Sequence, residues 1–412
     1  MTRKLQECDS RFETKLAVLN PFRLKPMSVL GNGTWTHGID GSGRSIRTRK
    51  NGMIVKDISR SVLTLILPIL FTGCGAVSPT STPPTDPRPH FAFAANLLSD
   101  DISAYAVNPQ TGVLSPMGTV PSGGRKPRAI ALEPSGRFAY VGNIDSNDIS
   151  VFEIDTNTGT LAMVGSPVPT GSGPRSILVG PTGNVLYAAN QNSDQVSEFT
   201  INLNTGALTP LDFVSTDHTP VALSFHPSGK FAYVANFESS DVTIYAVDSV
   251  GGFKLLGAIP SGPNPASITV HPEGRFAYVA NFGSNDITIF SIDSSSGALA
   301  PVSPRIDNVD TPTSITIDSE GRFAYVTNTA AGSVSLYAID SSTGALTFRS
   351  TALTGSSPVA LTLDPSGRFA YVANFDSDSL TEFSVNSITG ALTPVDPPVN
   401  AGRGPAWVAF TR

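Results

Sequence analysis

One six-residue phrase returns along the chain at a nearly fixed interval, and that interval constrains everything else. Phe231-Ala232-Tyr233-Val234-Ala235-Asn236 recurs at 276–281, 323–328, 369–374 and 138–143, with looser copies at 185–190 and 91–96. The closing Asn stands at 96, 143, 190, 236, 281, 328 and 374, a step of 45 to 47 residues. A period in the forties, built from short apolar runs and turn residues, is the pattern of a β-propeller. The expectation is an all-β body of seven blades, each a four-stranded antiparallel sheet. Within the phrase, aromatics alternate with residues that are also apolar, so both faces of the strand should be buried between neighbouring sheets.

The copy beginning at Pro265 shows the whole unit. Pro265 to Val270 alternates small and large residues and reads as the innermost strand, with Pro272-Glu273-Gly274 as a turn. Phe276 to Ala280 is the second strand, Asn281 to Asp286 a polar loop and Ile287 to Ile292 the third strand. The hairpin turn Asp293 to Gly297 then leads to an outer strand starting at Ala298. Inner strands begin at Pro127, Pro174, Pro220, Pro265, Pro312, Pro358 and Pro405. The first phrase, at Phe91, has no Pro-led strand before it, and the last Pro-led strand has no phrase after it. Strand Trp407 to Phe410 should therefore pair with Phe91 to Ala95 and close the ring, removing an exposed edge.

The repeat occupies residues 89–412 as one domain, which suits a charged fraction of 15% with 37 Gly and 33 Pro. Residues 1–60 hold 12 Lys/Arg against 5 Asp/Glu, the remainder 15 against 28. An acidic body repels phosphates, so nucleic acid is excluded as a partner. Cys8 and Cys74 both precede the repeats, leaving the propeller without an internal disulfide or a thiol nucleophile. Residues 1–52 are basic and aperiodic and are expected to be disordered or untranslated, Met1 and Met53 both being candidate starts. Residues 53–74 run from Lys56 and Arg60 through an apolar stretch, Val62 to Phe71, to Thr72-Gly73-Cys74, the form of an export signal too short to span a bilayer. Residues 75–88 are Pro-, Ser- and Thr-rich and read as an extended tether.

Leu70-Phe71-Thr72-Gly73-Cys74 resembles the lipobox of bacterial lipoproteins, with Phe71 where that motif carries Leu, Val or Ile. The resemblance implies lipidation at Cys74 and a position in the cell envelope or periplasm, with the membrane reached only through the lipid anchor. An ordinary cleaved signal is the alternative. Tyr325-Val326-Thr327-Asn328 is the phrase of the YVTN β-propellers, and the unit Pro-x-x-Ile…Pro-x-Gly-Arg-Phe-Ala-Tyr-Val-x-Asn resembles the wider seven-bladed lactonase family. That resemblance implies hydrolysis of a lactone, as in the propeller-type 6-phosphogluconolactonases. Enzymes of the family tend to carry Gly-Pro-Arg-His at an inner strand and Asn-Glu after an aromatic phrase. Here Gly173-Pro174-Arg175-Ser176 and Lys126-Pro127-Arg128-Ala129 keep the Arg without the His, and no Glu follows a phrase.

In a propeller the loops entering inner strands share one face with the loops between second and third strands. Arg125, Lys126, Arg128, Arg175, Asp217, His218, Asp310 and Arg403 are thereby expected around one channel mouth. Arg128 and Arg175 are candidates to hold a carboxylate or phosphate and a developing oxyanion, and His218, beside Asp217, is the candidate base. The repeated Asn residues and Asp148, Asp194, Asp241 and Asp286 are read as loop ties whose side-chain oxygens bond loop N–H groups. His226 and His271 are turn residues on the opposite face. No cluster has zinc-ligand spacing and no phosphate-cradling glycine loop precedes a helix, so no metal or cofactor is expected. Two functions follow: a monomeric hydrolase of a small anionic lactone, or a non-catalytic envelope module that binds a protein or polysaccharide.

Overall fold

The structure, a computed structural model, describes residues 90–411 apart from 308, together with the backbone of three strands nearer the N-terminus. Those three, Trp35–Ile39, Ser45–Arg49 and Ile54–Lys56, form an antiparallel sheet of their own. The first two fall within residues 1–52, where Thr36, Ile39, Ile46 and Thr48 favour a strand, and the third falls at the start of the expected export signal. The rest of the expected export signal, Cys74 included, and the tether lie outside the described residues.

From His90 onward the chain makes seven sheets, six of them ordered from inner to outer strand by sequence. The repeated phrase is the second strand in every blade, and all six of its residues are buried in each full copy. Blades 2 and 7 have outer strands broken into Leu161–Met163 with Val168–Pro169, and Leu392–Pro394 with Val399–Asn400. Pro167 and the pair Pro397-Pro398 fall at the breaks, where the missing N–H cannot serve the ladder. Blade 1 is built from both chain ends. Trp407 pairs with Ala95, Val408 with Ala94 and Ala409 with Phe93, so the C-terminal strand closes the ring as the repeat demanded.

Adjacent blades are tied by side chains of the phrase. The Tyr hydroxyl of one blade donates to the carbonyl of the hairpin-turn Gly of the next: Tyr140 to Gly206, Tyr187 to Gly251, Tyr233 to Gly297, Tyr278 to Gly344, Tyr325 to Gly390 and Tyr371 to Gly112, at 2.6–3.1 Å. The phrase's Phe packs under the same turn. A Cβ on Gly344, whose φ is +75°, would stand 2.5 Å from the Phe276 ring, so the turn demands glycine both for conformation and for space.

The Asn that ends each phrase acts differently from its sequence reading. Its amide nitrogen donates and its oxygen accepts no loop N–H: Asn143 Nδ2 reaches Asp148 at 2.8 Å and Ser150 at 2.9 Å, and Asn236 reaches Asp241 and Thr243, both at 2.7 Å, while Asn190 alone also accepts, from the Thr170 hydroxyl at 3.2 Å. The loop is instead tied to its neighbour by the residue just before the third strand or near it. Asp100 accepts the Lys126 N–H at 2.7 Å, Asn147 that of Gly173 at 2.8 Å, Asp194 that of Thr219 at 2.8 Å and Asp378 that of Gly404 at 2.7 Å. These ties hold the residue preceding each inner-strand Pro in the left-handed region, even β-branched Thr219 at φ +61° and Thr311 at +51°.

Candidate functional site

Every inner strand opens with a bulge. The pairing register skips the residue after Pro in all seven blades, at Arg128, Arg175, Val221, Ala266, Thr313, Val359 and Ala406. A bulged residue is freed from the ladder and re-aimed. Six of these seven line the central channel, a cavity of about 540 Å³ walled by the inner strands. Two of the six are arginines on adjacent blades, and the rest are small or apolar.

Arg128 and Arg175 are each half-buried. Arg128 donates from Nη1 to the Ala406 carbonyl at 3.1 Å, and Arg175 from Nη1 to Gln191 Oε1 at 3.3 Å. Neither takes part in an ion pair among the described residues. Removal from water, then the charge of Arg175, pulls the Arg128 guanidinium down to about 9, and burial lowers Arg175 likewise. Two like charges held close with no carboxylate between them favour an anion from solution. The wall below them is less available than its hydroxyl content suggests. Thr269, Thr316 and Thr362 donate to the carbonyls of Ile315, Leu361 and Val408 at 2.6, 2.8 and 2.8 Å, stitching each inner strand to the next.

The other predicted site residues do not join this pair. Arg125, Lys126, Asp217, His218, Asp310 and Arg403 are exposed on loops, and none lines the cavity. Lys126 pairs with Asp145 at 2.8 Å. His218 is 74% exposed at its side chain, and its Nδ1 lies 2.9 Å from Asp194 Oδ2, not from its sequence neighbour Asp217. Asp194 belongs to the preceding blade's loop, which the interblade tie through Thr219 brings alongside. The hydrogen bond to the Asp194 carboxylate, and then its charge, raise the His218 pKa. Asp217 instead faces Asp241, whose carboxyl is pushed up by burial and then by the Asp217 charge. Among the described lining residues the acid is Asp364, at the opposite end of its inner strand, where it accepts the Phe369 N–H at 2.9 Å.

Sequence reasoning missed Trp407. It lines the cavity and remains 39% exposed, at a position where the other blades carry Ala129, Ser176, Ala222, Ser267, Ser314 and Ala360. One large residue against six small ones was a legible signal. His226 and His271 are confirmed as turn residues: their Nε2 atoms meet the Gly274 and Gly321 carbonyls of the following blade at 2.9 and 2.8 Å.

The family profile described as Lactonase, 7-bladed beta-propeller, matches residues 85–173, 166–224, 220–362 and 304–410. Among solved structures, a candidate 6-phosphogluconolactonase of Bacteroides uniformis superposes with a TM-score of 0.70 at 21% identity, over 78% of this chain and 99% of that one. The periplasmic gluconolactonase of Pseudomonas aeruginosa gives 0.69 at 19% identity, over 79% and 99%. A second candidate 6-phosphogluconolactonase, from Bacteroides fragilis, gives 0.70 at 21% identity, over 80% and 100%. These likenesses show a shared fold. No curated protein matches the chain in sequence.

Proposed function

Because the chain belongs to the lactonase family of seven-bladed β-propellers, we propose that its central channel takes a small anionic sugar lactone, held by Arg128 and Arg175. The observation that carries this reading is the pair of adjacent guanidiniums lining the cavity with no ion-pair partner among the described residues. One guanidinium would hold the ligand's carboxylate or phosphate. The other would donate to the lactone carbonyl, and would hold it more strongly as attack by water turns that oxygen into an oxyanion. The names of the structural neighbours from Bacteroides and Pseudomonas point to the same substrate class.

Water needs a group to take its proton, and the described lining residues include no imidazole, while Asp364 stands at the far end. That observation favours a second reading, in which the channel binds the anion and releases it unchanged, as a binding module of the envelope. The two are separated by one experiment on the purified protein. Hydrolysis of δ-gluconolactone and 6-phosphogluconolactone is followed by proton release, and binding of gluconate and 6-phosphogluconate by calorimetry, for wild type, Arg128→Ala and Arg175→Ala. Turnover lost in both variants supports the hydrolase, and binding without turnover supports the module. Wild-type behaviour in both variants rules out the site.

We also propose that the protein is exported and anchored through Cys74. The support is the lipobox-like sequence Leu70 to Cys74 and the periplasmic description of the Pseudomonas neighbour. Globomycin treatment should shift the precursor's mobility, and an unchanged band pattern would end this proposal.

A further inference from the structure

The arginine pair does not stand alone in the channel. Inner strands follow one another around the ring as blades 1, 2 and 3, bringing Trp407, Arg128 and Arg175 into one arc. The Arg128 guanidinium is bonded to the carbonyl of Ala406, the residue next to Trp407. Around the rest of the ring, at the level of the arginines, stand Val221, Ala266, Thr313 and Val359. The channel is therefore lopsided: an aromatic surface and two cations on one side, small side chains on the other.

Trp407 is an unusual choice for this wall. The inner strands crowd towards the axis, which is why the six equivalent positions hold Ala or Ser. Burial of an indole is worth most when it is complete, yet this one, which lines the cavity, remains 39% exposed. Ring–ring and guanidinium–ring contacts among the described residues involve other aromatics. A partly exposed indole lining the same cavity as two cations is suited to a ligand with a flat C–H face and an anionic group, which is the chemistry of a cyclic sugar acid.

We propose that Trp407 is the platform on which the ring of the ligand stacks while Arg128 and Arg175 hold its acidic group. This deepens the anion-binding reading and rests on it. It assigns the two halves of the arc different jobs: the arginines recognise charge, and the tryptophan selects a ring over an open chain or a bare anion.

The chain has two tryptophans, Trp35 and Trp407. In the full-length protein with Trp35→Phe, indole fluorescence reports on Trp407 alone. The probes are D-glucuronate, a stable pyranose with one carboxylate, and inorganic phosphate, which has no ring. Glucuronate should quench the emission and bind more tightly than phosphate. Trp407→Ala should weaken glucuronate binding about tenfold by calorimetry while phosphate binding is kept, and Trp407→Phe should restore most of the loss. Arg175→Ala should weaken both probes. Equal glucuronate affinity in wild type and Trp407→Ala, with phosphate still bound, overturns the platform and leaves the arginine site standing. Failure of both probes to bind wild type removes the arginine site and the platform with it. Thermal unfolding of each variant checks that the ring remains closed.

Discussion

Tyr371 in blade 7 donates its hydroxyl to the carbonyl of Gly112 in blade 1 at 2.7 Å, across 259 residues of sequence. The same contact ties five other neighbouring pairs, and here it crosses the seam where the two ends of the chain meet. Blade 1 breaks the pattern, since Phe93 occupies its tyrosine position and has no hydroxyl to offer the turn at Gly159. Burial raises the pKa of these tyrosines, Tyr371 among them, so they remain neutral donors at any physiological pH.

Removing the hydroxyl at the seam leaves the Gly112 carbonyl without its donor. Tyr371→Phe should lower stability by about 1–2 kcal/mol, measured by urea unfolding. Conversely, Phe93→Tyr should complete the set and gain about 0.5–1 kcal/mol, because the receiving turn is already built. A loss of stability in Phe93→Tyr would show that blade 1 packs too tightly to accept the oxygen.

Deletion of residues 404–412 removes the inner strand of blade 1 and exposes Phe91 to Asn96 as an open edge. The truncated protein should lose its single cooperative melting transition and aggregate at lower temperature. Calorimetry checks this, and a truncated chain melting like the parent would contradict closure by the C-terminal strand.

Two buried carboxyls sit at blade boundaries. Glu382 accepts the Leu114 N–H at 3.1 Å across the seam, and Glu198 that of Phe253 at 2.9 Å. Burial pushes both up to about 7, from an ordinary value of 4.5. Between those values the folded protein holds protons that the unfolded chain has lost, so stability falls as pH rises through that window. The effect is at most about 3 kcal/mol for each residue. Glu382→Gln keeps an acceptor for Leu114 and should flatten the fall between pH 5 and 8, roughly the window those values define, in urea titrations. An unchanged pH profile would place the Glu382 pKa near its ordinary value.

His218 and the arginines should separate cleanly. His218→Ala removes an exposed side chain outside the cavity and should change ligand binding by less than about twofold, within the ordinary range for a surface substitution. Arg175→Ala should weaken the same ligand by about tenfold or more, as expected for a charge-assisted contact. Isothermal titration with 6-phosphogluconate measures both, and a large effect at His218 would move the site to the loop face.

The residues of the channel divide by how they could be read. Arg128 and Arg175 were legible because each follows a Pro at the start of a repeated strand, and the repeat says which residues share a ring position. The partner of His218 was not legible, because Asp217 is its neighbour in sequence whereas Asp194 is brought to it by a tie between blades. Trp407 lay between these cases: its departure from six small residues is visible in the alignment of repeats, but only the channel shows that it lines a cavity.

The sequence by itself determined the number of blades, the order of strands and the closure of the ring. Each unit buries both faces of its second strand only against a neighbour, and a repeat without ends to spare can satisfy that only by closing. Tertiary structure alone decided which side chains meet across blades, because those contacts depend on the bulge after each Pro and on left-handed loop residues. The same geometry carried two arginines and one indole into a single arc of the channel and left His218 outside it.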